Sequence, residues 1–381
     1  MSRIGIDVSL VPGQRVGVGV YADNLVKELA CIDSENKYVL FPFFTYIFSP
    51  NYKSYKPGLP TNFSLYGKNL PAEFWYSWWH EYWWLAKRML PKFDVFHTTT
   101  FTVPPRSMYK RVVSTVYDVS FYTHPQFHLK ANVAHCSDGV KWAVAEADKI
   151  VVISEYTKTD LVNYFDCNPS KIVVTPLAPE ARFFDRAENN VVRRVLSNRK
   201  IVKPYLFHLG SLEPRKNTLG LVKAYRLLPE TIRGKYDLVI GGAAGWMNSQ
   251  IGEYIRRHNL DHCVKMIGYV DDDELPVLYQ AATVFAYPSF YEGFGLPVME
   301  AMASGCPVLT AANSSLLEIA SGVSQMVNAG DVEDIANKLV ELLESQDLQT
   351  RLSVAGRRRA EGYSWQETAK KTLDVYKSLS E

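Results

Sequence analysis

The stretch ATVFAYPSFYEGFGLPVMEAMASGCPVLT, residues 282–310, gives the clearest indication of the fold of this chain. It begins and ends with short apolar runs that are typical of buried strands, and the segment between them has helical character. Pro297 suits the first turn of a helix and Gly305 suits its C-terminal stop, which predicts a helix from about Leu296 to Ser304. Strand, helix and strand in this order predict a unit with parallel strands.

The same alternation continues on both sides of this stretch. The N-terminal half contains the candidate strands RIGID, KYVLFPFF, FDVFHTTT, RVVSTVYDVS, KIVVIS and KIVVTPLA. The C-terminal half contains YLFHLGSL, YDLVIGG, CVKMIGYV, ATVFAYPS, CPVLTAA and QMVNAG. This rhythm predicts an α/β protein with two doubly wound, Rossmann-like domains that face each other across a cleft.

The alternation lapses once, in a polar and basic stretch that we take as the connection between the domains. We therefore predict an N-terminal domain at 1–180, a linker at 181–203 and a C-terminal domain at 204–362. The sequence of residues 363–381 predicts a helix with no strand after it. One arrangement open to this helix is to cross back to the first domain.

Composition excludes several classes of protein. The chain has 42 basic and 40 acidic residues, and a net charge of +2 is too small for a nucleic-acid-binding protein recognised by bulk charge. Its five cysteines are scattered and never spaced as CxxC, which favours reduced thiols in the cytoplasm over disulfides or a metal site. No window approaches roughly 18 consecutive apolar residues, so we expect no membrane-spanning helix.

A basic pair after the strand-like YLFHL could hold a phosphate. Arg215 and Lys216 precede a helix for which Asn217 is a candidate N-cap. A helix N-terminus offers unpaired N–H groups, and two cations beside it make an anion site. A solvated basic turn is the alternative, but the position after a strand favours phosphate. The glycines of PGQRVGVGVY also allow close backbone approach, although their spacing is not GxGxxG.

Two glutamates flank the glycines of the opening stretch. Glu292 falls in the loop after a strand, and Glu300 falls about one turn into the following helix. With the backbone N–H groups of residues 294–296, this loop can offer donors to a phosphate and carboxylates to sugar hydroxyls. The segment therefore predicts a sugar-nucleotide site. A capping glutamate beside a surface glutamate is the alternative, but it would not require Gly293 and Gly295.

Several motifs occur together along nearly the whole chain and resemble glycosyltransferase family 4, whose members are retaining enzymes of GT-B architecture. They are GVGVY at 17–21, HLGSLEPRK at 208–216, IGYVDDDELPVLYQAA at 267–282, EGFGLPVMEAMASGCPV at 292–308 and Glu318. Glu292 to Glu300 looks like the E-x7-E element of that family. The glycine loop with FDVFHTTT and DVSFYTHP looks most like the group around O-antigen mannosyltransferase B.

The resemblance implies roles for single residues. The catalytic candidates are Glu292, Asp118 and Tyr117. The donor-binding candidates are Gly17, Gly19, Arg215, Lys216, Phe294, Gly295, Leu296 and Glu300. Arg215 and Lys216 would bind the diphosphate and Glu300 the ribose, while Glu292 would lie near the donor sugar.

One position departs from the family pattern. Many relatives carry a histidine where this chain has Tyr117, and a tyrosine cannot carry a proton at neutral pH as histidine does. His97 and His124 are candidate substitutes, and a structural hydrogen bond is the alternative for each. Such enzymes generally need no metal, so we predict neither metal nor cofactor. We take the acidic run 271–274 as the acids of a helix N-terminus.

The segment EFWYSWWHEYWWLAKRMLPKF contains five of the eight tryptophans. Wound as a helix, it has a wide apolar arc, which favours packing on the first domain. The alternative is that Trp75–Trp84 and the nearby basic residues touch a membrane surface, where tryptophan and cations favour the interface. A lipid-linked acceptor would favour such contact, peripheral at the inner face of the plasma membrane.

Taken together, these features predict a cytoplasmic, metal-independent glycosyltransferase. It would move a hexose from a nucleotide diphosphate sugar to a glycan or lipid-linked glycan acceptor in cell-surface polysaccharide synthesis. The resemblance favours mannose from GDP-mannose, with UDP- and dTDP-sugars as alternatives. Two other functions stay open: a sugar-nucleotide epimerase of the same architecture, and a non-catalytic protein that binds nucleotide or glycan. We expect no nucleic-acid partner.

Overall fold

The computed structural model describes residues 1–11, 17–41, 58–66, 91–101, 103–104, 106–242 and 248–380. They divide into two units: Met1–Leu177 together with the chain from Trp365 onward, and Ala178–Ser364. The tryptophan-rich segment Trp75–Trp84 lies outside the described residues.

The described part of the first unit is built on a seven-stranded sheet in which all neighbouring strands are parallel. The strands are β1 (Arg3–Asp7), β2 (Lys37–Phe41), β3 (Phe63–Leu65), β4 (Phe93–Thr98), β5 (Tyr109–Val116), β6 (Lys149–Val152) and β7 (Ile172–Val174). Their spatial order is β3-β2-β1-β4-β5-β6-β7. The helices are α1 (Gly17–Ile32), α2 (Ser120–Thr123), α3 (Lys130–Glu146) and α4 (Glu155–Phe165).

The described part of the second unit has a six-stranded parallel sheet. Its strands are β8 (Tyr205–Leu209), β9 (Asp237–Gly241), β10 (Val264–Gly268), β11 (Val284–Tyr287), β12 (Val308–Ala311) and β13 (Gln325–Val327). Their spatial order is β10-β9-β8-β11-β12-β13. The helices are α5 (Asn189–Asn198), α6 (Thr218–Leu227), α7 (Glu230–Lys235), α8 (Asn248–Arg257), α9 (Leu275–Ala281), α10 (Leu296–Ala303), α11 (Ser314–Ala320), α12 (Val332–Glu344) and α13 (Gln346–Glu361).

The α/β class and the two doubly wound sheets are confirmed. Each predicted strand is observed, and the helix predicted in the opening stretch is α10. The central strands read as continuous apolar runs because both of their faces are buried, as at Ile4, Ile6, Leu206 and Phe207. The sequence does not predict β3, because only Phe63 among its three residues is buried and the pattern is too short.

The last helix, α14 (Trp365–Ser380), belongs to the first unit, where it packs on α1 and β4. The Tyr376 hydroxyl lies 2.6 Å from Nδ1 of His97 in β4. The ring of Trp365 lies 6.4 Å from the ring of Tyr21 in α1. The helix therefore crosses back, the arrangement that the sequence leaves open. Residues 181–203, taken above as the linker, fold with the second unit and include α5.

In each sheet the strand order reverses at one point, between β1 and β4 and between β8 and β11. Ligands of open α/β sheets bind beyond the carboxyl ends of the strands at such a point. The loop after β8 contains the 3₁₀ turn Pro214–Lys216, and the loop after β11 contains Glu292. Among the described helices, none is long and apolar enough to cross a membrane.

Candidate active site

An ion cluster joins the loops after β8 and β11, two strands that pair with each other. Lys216 Nζ donates to both carboxylate oxygens of Glu292, at 2.7 and 2.9 Å, and to the Tyr287 hydroxyl at 2.7 Å. Arg215 Nη1 donates to Glu292 Oε2 at 3.0 Å and to the Tyr291 carbonyl at 2.8 Å. The fold thus brings together three of the residues that the sequence singles out.

Two carboxylates balance the two cations, because Arg215 Nη2 also donates to Glu213 Oε1 at 2.9 Å. The four side chains are only 8 to 15% exposed. Burial raises the pKa of Glu292, but Lys216 and Arg215 outweigh it and hold that pKa at about 2. Burial lowers the pKa of Lys216, as does Arg215, while Glu292 opposes the change. The cluster is charged but has no net charge.

The segment after β12 fixes the main chain of Glu292 on both sides. The Glu292 amide donates to Ser314 Oγ at 3.0 Å, and Ser315 Oγ donates to the Glu292 carbonyl at 2.7 Å. Ser314 has a φ of 44°, in the left-handed region that non-glycine residues rarely adopt. Such strain persists where the surroundings over-determine it, and it clusters at functional sites.

Asn217 ties the cation turn to two other loops. Its side-chain amide donates to the Pro288 carbonyl at 3.0 Å, after β11, and to the Ala329 carbonyl at 2.7 Å, after β13. Asn217 occupies the N-cap position of α6, as the sequence predicts, but its side chain makes no capping hydrogen bond to that helix. A Cβ at Gly220 would lie 2.1 Å from Asn217 Oδ1, so only glycine leaves room for this arrangement.

Glu300 lies in α10 in a different electrostatic state. It is buried, and its Oε2 accepts a hydrogen bond from the Tyr279 hydroxyl at 3.2 Å. Burial raises the pKa of Glu300 to about 8, with Arg182 opposing and Glu180 adding to the rise. The two glutamates of the E-x7-E element therefore differ at neutral pH, since Glu292 is ionised and Glu300 is mostly protonated.

The glycine before α10 has a geometric requirement. Gly295 has a φ of 99°, and a Cβ there would lie 2.7 Å from Cδ2 of Leu316. Phe294 is buried beside it, and Leu296 begins the helix. The first N–H groups of a helix have no intrahelical partners, so this turn retains donors.

Gly17 and Gly19 lie in the first turn of α1 in the first unit. A Cβ at Gly19 would lie 2.4 Å from the carbonyl oxygen of Leu10, whereas one at Gly17 would meet nothing within 4 Å. Close packing of backbone against backbone therefore explains Gly19. A role for either glycine in donor binding stays a prediction.

Tyr117 is held inside the first unit. Its hydroxyl donates to the Thr99 carbonyl at 2.8 Å, and its ring meets the ring of Tyr21 edge-on at 5.5 Å. Burial raises the pKa of Tyr117 well above its usual value. The hydroxyl proton is thus engaged by the main chain.

Asp118 begins a short chain of hydrogen bonds at the carboxyl end of β5. Its Oδ1 accepts from the Ser120 amide at 2.9 Å and from Ser120 Oγ at 2.7 Å. Ser120 Oγ lies 3.0 Å from Nε2 of His128. Because the Ser120 proton goes to the carboxylate, His128 Nε2 is the donor in the second contact.

Both histidines proposed as substitutes are engaged within the unit. His97 is fully buried, and its Nε2 lies 2.7 Å from Thr115 Oγ1 while its Nδ1 contacts Tyr376. Burial lowers the pKa of His97 to about 3, so the ring is neutral. His124 Nδ1 lies 2.9 Å from Thr123 Oγ1, and burial lowers the pKa of this ring too.

Comparisons with known proteins agree along most of the chain. The model of Glycosyltransferase Family 4 matches residues 16–178, and that of Glycosyl transferases group 1 matches residues 196–359. O-antigen chain mannosyltransferase B of Escherichia coli is 31% identical over 285 residues, which are 75% of this chain and 74% of that protein. The chain belongs to glycosyltransferase family 4.

Further relatives bear on the fold of this family 4 glycosyltransferase. D-inositol 3-phosphate glycosyltransferase of Salinispora tropica is 30% identical over 254 residues, 62% of this chain and 52% of that protein. HepE of Anabaena, solved with UDP-glucose, has a TM-score of 0.77 at 15% identity. The match covers 99% of this chain and 100% of the HepE chain. WaaG, a glycosyltransferase of lipopolysaccharide biosynthesis, has a TM-score of 0.75 at 16% identity, over 98% and 99% of the two chains. The fold is GT-B.

The acidic run of this family 4 member is engaged by an arginine. Arg199 Nε donates to Glu274 Oε2 at 2.9 Å, and Arg199 Nη2 lies 3.9 Å from Asp271 Oδ2. Glu274 immediately precedes α9, as the sequence predicts for acids at a helix N-terminus. Within the described ranges, no three His, Cys, Asp or Glu side chains form a group that could hold a metal ion.

Sequence reasoning misses several residues that support the site. They are Tyr287, Tyr279, Ser314, Ser315, Ser120 and His128. The Asx turn of Asp118 and Ser120, two residues apart, has a readable local signal. The contacts of Tyr287, Tyr279, Ser314 and Ser315 join residues 21 to 71 positions apart, and the contact between Ser120 and His128 spans eight positions. No local pattern predicts them.

Proposed function

We propose that this glycosyltransferase moves mannose from GDP-mannose to a glycan or lipid-linked glycan acceptor in cell-surface polysaccharide synthesis. The observation that carries the proposal is the ion cluster of Arg215, Lys216 and Glu292 at the switch point of the second sheet. Mannose is supported by the relatives named O-antigen chain mannosyltransferase B and serotype-specific mannosyltransferase WbdA, both of Escherichia coli.

In the proposed reaction, the bond between the anomeric carbon and the diphosphate oxygen breaks, and a bond to an acceptor hydroxyl oxygen forms. The hydroxyl proton leaves with the diphosphate, which is the strongest base generated in the site. Arg215 and Lys216 would stabilise the negative charge that develops on that leaving group. Because two side-chain cations supply this charge, we propose that the reaction needs no metal and no cofactor.

We assign the remaining donor contacts by position. Glu300 would bind the ribose hydroxyls, and Glu292 would lie beside the sugar as well as beside the cations. The N–H groups at Phe294, Gly295 and Leu296 would add phosphate contacts, since α10 begins there. Retention of anomeric configuration is the expectation for the family.

On the first unit we propose Asp118 as the group that meets a sugar hydroxyl, in preference to Tyr117. The proposal is supported by the hydroxyl of Tyr117, which donates to a main-chain carbonyl. Asp118 lies at the carboxyl end of β5 and is connected through Ser120 to His128. Peripheral membrane contact through Trp75–Trp84 stays a prediction.

A panel of nucleotide sugars tests the donor. We expect GDP-mannose and GDP to raise the melting temperature of the protein more than UDP- or dTDP-sugars do. Incubation of radiolabelled GDP-mannose with lipid-linked glycans should then label the acceptor. An epimerase would convert the donor to another sugar nucleotide without any acceptor, and a binding protein would be stabilised without turnover.

A further inference from the structure

The cations of the anion site already have a partner before any ligand arrives. Three contacts of 2.7 to 3.0 Å join Glu292 to Lys216 and Arg215, and Glu213 occupies another face of Arg215. Any phosphate oxygen that binds these cations must therefore share them with a buried carboxylate. At such separations, like charges with little water between them repel strongly.

The repulsion is unequal for the donor and the product of the proposed reaction. A free nucleoside diphosphate has a terminal phosphate with a second pKa of about 6, so it carries about one more negative charge at neutral pH than its sugar ester. Once the proton taken from the acceptor hydroxyl has passed from the diphosphate to water, the additional charge lies on the phosphate group that the transfer has released. A carboxylate beside the two cations opposes the product more than the donor.

We propose that Glu292 acts as a built-in counter-ion that weakens the binding of the free nucleoside diphosphate and so promotes product release. The inference rests on the proposed function and adds to it a reason why the cations are paired. It concerns the ground-state affinity for the product, which is separate from any contact of Glu292 with the donor sugar.

The structure keeps this carboxylate in place. Ser314 and Ser315 hold the main chain of Glu292 on both sides, and Lys216 is also held by the Tyr287 hydroxyl. These contacts fix the backbone from which the carboxylate projects, and the Glu292 side chain is only 8% exposed, so moving the carboxylate into solvent would need local rearrangement. Its negative charge therefore stays beside whatever occupies the site.

The chain offers three matched carboxylates for the test. The carboxylate of Glu292 pairs with both cations, whereas the carboxylate of Glu213 pairs with Arg215. Glu341, on the exposed face of α12, pairs with Lys338 and is far more exposed, at 51% of its side chain. Replacing each with glutamine removes one negative charge, so the series separates a local counter-ion from a change in net charge.

The test is calorimetric titration with inorganic pyrophosphate and with GDP. We expect Glu292→Gln to tighten the binding of both ligands roughly tenfold or more, because one like charge is removed from the site. Glu213→Gln should tighten binding less, Glu341→Gln should leave it unchanged, and Glu292→Asp, which keeps the charge, should not tighten it. In transfer assays, GDP should inhibit Glu292→Gln more strongly than the wild type.

Unchanged or weaker binding by a folded Glu292→Gln would overturn the inference. A measurement on the wild type tests it without any variant, since GDP bound more than tenfold tighter than GDP-mannose would contradict a counter-ion that opposes the product. Different results would contradict the proposed function. If neither pyrophosphate nor GDP binds the wild type, or if Arg215→Ala leaves their affinity unchanged, the anion site itself is misassigned and the counter-ion inference falls with it.

Discussion

The two sheets end differently at their carboxyl edges. In the second unit the loops after β8 and β11 meet in buried ion pairs between Lys216, Arg215 and Glu292. In the first unit the contacts after β4 and β5 are mostly between neutral groups, as between the Tyr117 hydroxyl and the Thr99 carbonyl. The same strand order therefore supports a charged or a neutral site, and the side chains that follow the strands determine which of the two forms.

The largest expected effect is a decline in the free energy of unfolding with rising pH, caused by Glu300 in the second unit. The folded pKa of Glu300 is about 8, above its usual value of 4.5. Stabilisation by protonated Glu300 is therefore fully present below about pH 4.5 and is lost as pH rises through 8, a loss of up to roughly 5 kcal/mol. Urea unfolding between pH 5 and 9 should show this decline in the wild type and not in Glu300→Gln.

Glu341→Gln provides the control for that experiment, because it removes an exposed carboxylate and should retain the wild-type decline. The same slope in Glu300→Gln and in the wild type would show that another group titrates. The contrast between the two sheets would then rest on the ion pairs alone.

The next effect concerns the cations. Arg215→Ala and Lys216→Ala should each weaken GDP binding by about 1.5 to 3 kcal/mol, or roughly ten- to a hundred-fold, since each removes a charge-assisted contact. Lys216→Ala should have the larger effect, because Lys216 contacts both oxygens of Glu292 and its loss leaves that carboxylate less compensated. Calorimetry checks both variants, with Lys338→Ala on α12 as the control. Equal affinities in all four proteins would place the anion site elsewhere.

A smaller effect is expected at the edge of the first sheet. Tyr117→Phe removes one hydrogen bond between neutral groups and should lower the free energy of unfolding by about 1 kcal/mol. The loss should be constant between pH 5 and 8, because the tyrosine hydroxyl does not ionise in that range. Urea unfolding and transfer assays check this, and we expect kcat to change little. A large fall in kcat at unchanged stability would show instead that Tyr117 takes part in catalysis.

Chelation should have no effect at all. In the proposed reaction Arg215 and Lys216 stabilise the leaving diphosphate, so we expect transfer to continue at the untreated rate after treatment with EDTA. Activity that disappears on chelation and returns with magnesium or manganese would contradict this prediction. It would also remove the basis for assigning charge stabilisation to the cation turn.

The sequence predicts the fold well because strand and helix periodicity is local. Short apolar runs in the sequence indicate buried parallel strands, and Pro297 and Gly305 mark the limits of α10. The partner of α14 could not be predicted in the same way. An amphipathic pattern shows that one face is buried but not which surface covers it.

In the candidate site, too, local features could be predicted from the sequence and contacts between distant residues could not. Arg215, Lys216, Glu292 and Glu300 could be identified because each lies within a recognisable local motif. The function of Asn217 could not, because the carbonyls that it binds lie 71 and 112 residues further along the chain. Nor could the pairing of Lys216 with Glu292, which are 76 residues apart. Such contacts exist only once the strands are aligned.

The return of α14 has a consequence for the order in which the protein is completed on the ribosome. Residues 178–364 form one uninterrupted unit, whereas the first unit needs a helix that is translated after all of them. Until α14 emerges, His97 lacks its contact with Tyr376, and the surface of α1 that receives the helix is uncovered. Domains usually fold in the order of their synthesis. Here the domain translated first is the one completed last, because α14 is translated only after the whole of the second unit.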